Sequence, residues 1–373
     1  MLLESLIPIV SWIFPFLVVL TVLVFVHELG HYLVARYNGV KVEVFSIGFG
    51  PELFGWMDSK GTRWKFSLIP LGGYVRMFGD ANEASVPDFE QINALSKSDR
   101  EQTLMGKTVW QRMVVSIAGP VANIFLTFML FSLVFFFYGK ASETPIIGDI
   151  VAGSVAEKAG IQSEDRIVRI NEFMPHSFKE VQTYINNHPS ERLSVEVERG
   201  GSSLTYQITP EAMEVTAHKK IGFIGVSPLR VKKSLWDAPY ESLKSVGVMS
   251  ADLLKSLAAI VSSGENAGKL GSVLSIAKMS KDSLHGGLFS LFFFMAVLSL
   301  NLGIINLLPI PMLDGGHLLF YIIEVVRGKP VGEKGQNIAY KIGFGVLLFV
   351  MLFTLWNDLT RFKVVEYFLA LFK

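Results

Sequence analysis

His27-Glu28-Leu29-Gly30-His31 sets two imidazoles and a carboxylate at a spacing that can do chemistry. On a helix, positions i and i+4 differ by roughly 40° of rotation and about 6 Å of rise, so both rings reach one ion. The glutamate between them then lies beside the ion's open position. This is the arrangement of a zinc site in which the two histidines bind metal and the glutamate acts as general base on bound water. Zinc lowers the pKa of that water to roughly 7, which provides hydroxide at neutral pH. The five-residue pattern also arises by chance in soluble helices, its polar groups merely satisfied by neighbours. Here it closes an apolar run, where an ionisable residue is costly and by default functional.

A catalytic zinc usually has three protein ligands and one open position. Between Asp282 and Glu324 the only acid is Asp314, inside Asn306-Leu307-Leu308-Pro309-Ile310-Pro311-Met312-Leu313-Asp314-Gly315-Gly316. Prolines and glycines break the helix there, and at membrane depth such a break must be buried in protein or line a wet cavity. Asp314 is therefore the candidate third ligand; its plainer reading is a helix cap beside a turn. His317 is a rival ligand ranked lower, because it lies outside the break. His176, His188, His218 and His285 are scattered and read as surface residues. Asn306 has two readings of equal weight. Its amide donates to a substrate carbonyl or oxyanion, or it satisfies backbone freed by the prolines. Gly119-Pro120 and Asn123 read as a kink and a helix–helix hydrogen bond, which is packing.

The elements that must position these residues belong to a membrane protein. Of 373 residues, 50% are hydrophobic, 29 are phenylalanine and only 18% are charged, against roughly a quarter charged in soluble domains. Mean hydropathy is +0.42. A disordered chain is excluded, and 34 basic against 33 acidic residues leave no nucleic-acid footprint. The absence of cysteine removes disulfides, iron–sulfur clusters and thiolate zinc sites, so any metal relies on His, carboxylate or water. Four stretches are long and apolar enough to span a bilayer, at about residues 6–33, 113–138, 288–308 and 342–356. The first lacks a basic start and a small-residue cleavage site, so it reads as retained.

The spans divide the chain into 1–37, 38–112, 113–138, 139–227, 228–287, 288–320, 321–341 and 342–373. In 38–112, residues 42–49, 64–69 and 74–78 read as short apolar strands, with turns at 48–51 and 71–73. At the bilayer edge such strands must be paired or packed on protein. Residues 139–227 read as a small α+β domain ending in a hairpin around Gly200-Gly201. In 228–287, Leu243, Val246, Met249, Leu253, Leu257 and Ile260 fall on one face of an amphipathic helix, which packs on the small domain or lies at the membrane surface. Arg36, Lys41, Lys107 and Arg112, with Arg327, Lys329 and Lys334, place 38–112 and 321–341 in the cytoplasm and both termini outside. Arg361 and Lys363 argue the other way.

Over nearly its whole length the sequence resembles the site-2 proteases, intramembrane zinc metalloproteases, of the bacterial regulator-of-sigma-E type. The resemblance is carried by His27-Glu28-Leu29-Gly30-His31, Gly48-Phe49-Gly50-Pro51, Gly72-Gly73-Tyr74-Val75, Ala118-Gly119-Pro120-Val121-Ala122-Asn123, and Asn306 to Gly315. It implies a polytopic α-helical membrane protein of four transmembrane helices, with a membrane-associated β element and an inserted α+β PDZ-like domain. It implies zinc bound by His27, His31 and Asp314, Glu28 as base, and Asn306 as a substrate-binding residue, beside which we place Gly48, Gly50 and Pro311. Implied substrates are single-span membrane proteins, either a trimmed anti-sigma factor or remnant signal peptides. The implied location is the bacterial inner membrane, with the PDZ-like domain outside and no nucleic-acid partner. Two features depart from the family: a single PDZ-like domain where the enterobacterial relative has two, and Leu270-Gly271-Ser272-Val273 where a Gly-Pro-Val-Gly stretch is usual. The competing class is a non-catalytic scaffold that binds protein tails, which needs neither the metal triad nor Glu28. A zinc transporter would need several exchangeable ligand sites, and the sequence offers one constellation.

Overall fold

Apolar runs too long for a soluble core fold as helices of bilayer length, because a helix satisfies its own backbone where no water is available. The computed structural model describes residues 2–82, 86–216, 219–264, 267 and 270–361; His218 and Lys363 lie outside them. In chain order come α1 (Leu2–Tyr37), β1 (Val42–Met57), β2 (Arg63–Met77), the short helices α2 (Phe89–Ala94) and α3 (Lys97–Arg100), and α4 (Val109–Phe137). Next are β3 (Lys140–Ala141), β4 (Ile147–Ile150), α5 (Val155–Ala159), β5 (Arg166–Ile170), α6 (Phe178–Asn187), β6 (Leu193–Arg199), β7 (Ser202–Ile208), β8 (Glu211–Thr216), β9 (Lys219–Phe223), β10 (Val226–Pro228) and β11 (Arg230–Val231). The chain closes with α7 (Asp237–Ser263), α8 (Val273–His285), α9 (Leu288–Asn306), α10 (Asp314–Arg327) and α11 (Glu333–Arg361). Residues 133–238 form one compact unit and the rest of the chain another.

Among the described residues five helices, not four, are long and apolar enough to cross a membrane. The addition is α7, expected as an amphipathic helix. Its apolar stripe is there and its charges lie opposite, but residues 246–263 hold only Asp252 and Lys255 among them, so composition qualifies it as well; it is the least apolar of the five. Three of the other four start before their expected spans or run past them, α1 to Tyr37, α4 from Val109 and α11 from Glu333, because polar and charged flanks continue the same helix, whereas α9 stops at Asn306.

The segment after α1 differs more from expectation. Three short strands separated by glycine turns were predicted; there are two long strands, and the glycines lie within them. Gly48, Gly50 and Gly72 have φ of 90°, 84° and 123°, values that only glycine adopts easily. They fold each strand back on itself, so the chain reverses at the expected turns 48–51 and 71–73. Residues 73–77 pair with 42–47, while 63–66 pair with 54–57 and also lie alongside 44–47. The hairpin thus curls into a sheet four segments wide, and the unpredicted fourth segment is 54–57. A further, unexpected reversal is at Asp58, whose carboxylate accepts the N–H groups of Lys60 at 2.8 Å and Thr62 at 2.9 Å. Val42, Phe45, Val75 and Met77 bury one face against Tyr32, Ala35 and Val115. Leu53, Phe54, Trp56, Met57, Leu68 and Leu71 remain at least half exposed. An apolar tip of that kind belongs in lipid or against a partner, not in water.

The unit of residues 133–238 is α+β, with an antiparallel β5–β6–β7 sheet. The alternation read from the sequence sets its core: Leu193, Val195, Val197 and Ile208 pack on the α6 stripe Phe178, Val181 and Ile185. Asp165, fully buried, accepts from Arg199 Nε at 2.6 Å and Nη2 at 2.7 Å. Burial pushes its carboxyl up, but the guanidinium holds it below the usual range.

In the other unit the Leu270–Val273 departure acquires a role. Ser272 caps α8, and Asp358 of α11 accepts from the N–H and hydroxyl of both Ser272 and Ser275, at 2.6 to 2.9 Å. That carboxylate fastens α8 to α11.

Candidate metal centre

The i, i+4 spacing on α1 brings His27 Nε2 and His31 Nε2 to 3.3 Å from each other. α9 ends at Asn306, the proline-rich residues 307–313 turn the chain, and α10 begins at Asp314. Asp314 does not cap: the N-cap is Leu313, and no side chain caps this helix. The carboxylate instead lies against the histidines, Oδ2 3.1 Å from His27 Nε2 and Oδ1 3.2 Å from His31 Nε2. Among the described residues this is the one group of three metal-binding side chains within reach of one ion.

These spacings fit zinc. Four tetrahedral bonds of about 2.0–2.1 Å place neighbouring ligand atoms about 3.3 Å apart, and the observed separations are 3.1 to 3.3 Å. The space between the ligands is kept open by Gly119 of α4. A Cβ there would stand 2.8 Å from His27 Nε2 and closer still to His31 Nε2. Gly30 lets α4 come near: its Cβ would lie 2.5 Å from Ala118 O and 2.8 Å from Ala122 Cβ. Gly303 does the same for α9, with Pro120 O at 2.9 Å. Small residues at helix contacts are how spanning helices approach closely.

Glu28 lines the same cavity of about 190 Å³ as the three ligands, with Gly73, Tyr74 and Asn306. β2 passes directly beside it, since a Cβ on Gly73 would come within 3.3 Å of Glu28 Cγ. The hairpin is tied to the metal helix through Tyr32, whose hydroxyl donates to Asp58 Oδ2 at 3.0 Å. Burial raises the Asp58 carboxyl, but Thr62 N–H, the Trp64 indole, Lys60 N–H and Tyr32 O–H together pull it down to about 2. The Asp314 end is held by Arg112 of α4, which grips Glu324 of α10 with two bonds of 2.9 and 2.6 Å.

The other predicted residues are distributed as follows. Asn306 lines the cavity, its Nδ2 3.5 Å from His27 Nε2. Gly48 and Gly50 lie at the bend of β1, and Pro311 packs under Gly316 and Gly343; none of the three lines the cavity. His317 is on the cavity wall but outside the ligand cluster, its Nδ1 3.4 Å from the Tyr340 hydroxyl. His176 and His285 are exposed and His188 half-buried. Sequence reasoning assigned Gly119 and Asn123 to packing. Both instead meet the histidines, Asn123 Nδ2 lying 3.1 Å from His27 Nδ1. Their i, i+4 spacing was the available signal, because it puts them on one face of α4.

The profile of peptidase family M50 matches residues 15–350. The chain belongs to peptidase family M50. A relative from Rhizobium meliloti bearing a zinc metalloprotease name is 38% identical over 355 residues, 92% of this chain and 95% of that protein. Metalloprotease MmpA of Caulobacter vibrioides is 35% identical over 389 residues, 95% of this chain and 97% of its own. Among solved structures, the PDZ domain of an SdrC-like protein from Listeria monocytogenes is similar to 24% of this chain and covers 90% of that domain, at 13% identity and a TM-score of 0.20. Membership of M50 makes the chain a metallopeptidase, with several helices of membrane-spanning character.

Proposed function

We propose that this M50 peptidase hydrolyses peptide bonds in or beside the membrane segment of single-span proteins, using zinc held by His27, His31 and Asp314. The observation that supports this above all is the meeting of those three ligand atoms at zinc spacing, with Glu28 in the same cavity, on an apolar helix. Bound zinc supplies a Lewis acid that acidifies water and polarises a carbonyl. Glu28 takes the proton of the attacking water and returns it to the departing amine. Asn306 donates its amide to the carbonyl oxygen as charge develops there.

A helical substrate hides its carbonyls in i to i+4 hydrogen bonds and must unwind before attack. The curled hairpin beside Glu28 offers strand backbone on which an unwound stretch can add as a further strand. By family analogy the substrates are trimmed anti-sigma factors or remnant signal peptides in a bacterial inner membrane. The segment 139–227 is then an external PDZ-like domain that limits the size of the substrate ectodomain. The test is co-expression with single-span reporters. Glu28→Gln is expected to abolish cleavage while the purified variant still binds zinc; cleavage at the wild-type rate by that variant rejects the mechanism.

A further inference from the structure

Asn123 is wholly buried on α4. Its backbone carbonyl already accepts from Thr127 Oγ1 at 3.0 Å and from Ser299 Oγ at 2.8 Å. Its side-chain Nδ2 lies 3.1 Å from His27 Nδ1, and its Oδ1 is buried with no hydrogen-bond partner among the described residues. A neutral imidazole carries one proton. If Nδ2 donates to Nδ1, that proton sits on Nε2, which is the atom facing His31 and Asp314. A protonated Nε2 has no lone pair for a cation. The two ends of an amide have the same shape, and which is which follows from the network around it. Turning the amide by 180° exchanges one unpaired end for the other, so the imidazole decides between the orientations. His31 shows which state the site requires: its Nδ1 is 2.8 Å from Val115 O, which can only accept.

We infer that Asn123 is a positioning residue whose amide oxygen accepts the Nδ1–H of His27 and thereby commits Nε2 to the metal. α4 then supplies an acceptor to each ring, Val115 O for His31 and Asn123 Oδ1 for His27. Ligating histidines characteristically give their second N–H to such an acceptor, and losing it typically costs 10–100-fold in metal affinity. The inference rests on the metal reading and adds to it the residue that selects the tautomer.

The test is cobalt(II) binding to the purified full-length protein in detergent, read by absorption in competition with a chelator. Asn123→Asp keeps an acceptor of the same shape and loses the donor. Asn123→Leu keeps the bulk and loses both. The expected ranking is wild-type affinity or better for Asn123→Asp and a loss of about 10–100-fold for Asn123→Leu. Folded Asn123→Asp that binds as weakly as Asn123→Leu overturns the inference, because a donor was then needed; should the buried charge keep Asn123→Asp from folding, Asn123→Leu against wild type decides. Asn123→Leu with wild-type affinity overturns it too, because the residue then only fills space. Should Asn123→Leu not fold, the comparison of Asn123→Asp with wild type decides. Absence of cobalt binding by the wild type would instead sink the metal-centre reading itself.

Discussion

Gly119→Ala sets a small gain in helix propensity against the integrity of the metal centre. On a helix alone alanine is better than glycine by about 0.8–1.0 kcal/mol, so a purely local view expects a more stable protein. The added methyl, however, would stand 2.8 Å from His27 Nε2 and nearer to His31 Nε2, where ordinary contact begins at about 3.4 Å. One or both imidazoles must therefore retreat by at least about 0.6 Å, the difference of those two distances. Zinc bonds tolerate only about ±0.2 Å, so ligation by at least one histidine is lost. Losing a second-shell partner alone costs 10–100-fold, and displacing a ligand should exceed about 100-fold. Zinc affinity by chelator competition and cleavage of a single-span reporter should both collapse, while metal-free Gly119→Ala unfolds at the wild-type temperature or above it. Gly345→Ala in α11, where a Cβ meets nothing within 4 Å, is the control and should leave both readouts unchanged. Wild-type zinc affinity in Gly119→Ala would refute the placement of α4 against the ligands.

Three further outcomes follow from the same geometry. Arg112→Met leaves the Glu324 carboxylate, only 17% exposed, without its partner; it should cost about 3–5 kcal/mol, and adding Glu324→Gln should restore most of the lost thermal stability. Burial raises the Asp80 carboxyl to about 7, with Met77 N–H and Arg76 opposing and Glu43 adding. The folded state then binds more protons than the unfolded chain between about pH 4 and 7, so stability falls across that window and levels above it. Asp80→Asn should flatten that stretch of a melting-temperature profile; an unchanged slope would reassign it. Deleting residues 146–227 should extend cleavage to reporters with longer ectodomains, and unaltered selectivity on a gel of products would end the size-limit proposal.

How much of this was legible in the chain depends on the range of the interactions involved. The spans were readable because hydropathy is a property of composition over a window, and α7 escaped because its one apolar stripe resembled that of an ordinary amphipathic helix. The hairpin is legible at its two glycine reversals and not at the third, which follows 54–57. Gly48-Phe49-Gly50-Pro51 and Leu71-Gly72-Gly73 carry the residues of reverse turns, and positive φ at Gly48, Gly50 and Gly72 lets the chain fold back there. The strand at 54–57 escaped because its pairing with 63–66 depends on partners elsewhere in the chain.

From the sequence by itself come the membrane character, the α+β nature of the central segment, the shared helical face of His27 and His31 with Glu28 between them, and Asp314 as the sole acid of its region. Each rests on local periodicity, composition or elimination. The tertiary structure decided that Asp314 meets both imidazoles instead of capping α10, that Gly119 leaves room beside them, and that Asn123 faces one of them. Those facts depend on the approach of α1, α4 and α10, which small residues permit and which no repeat of 3.6 along one helix encodes.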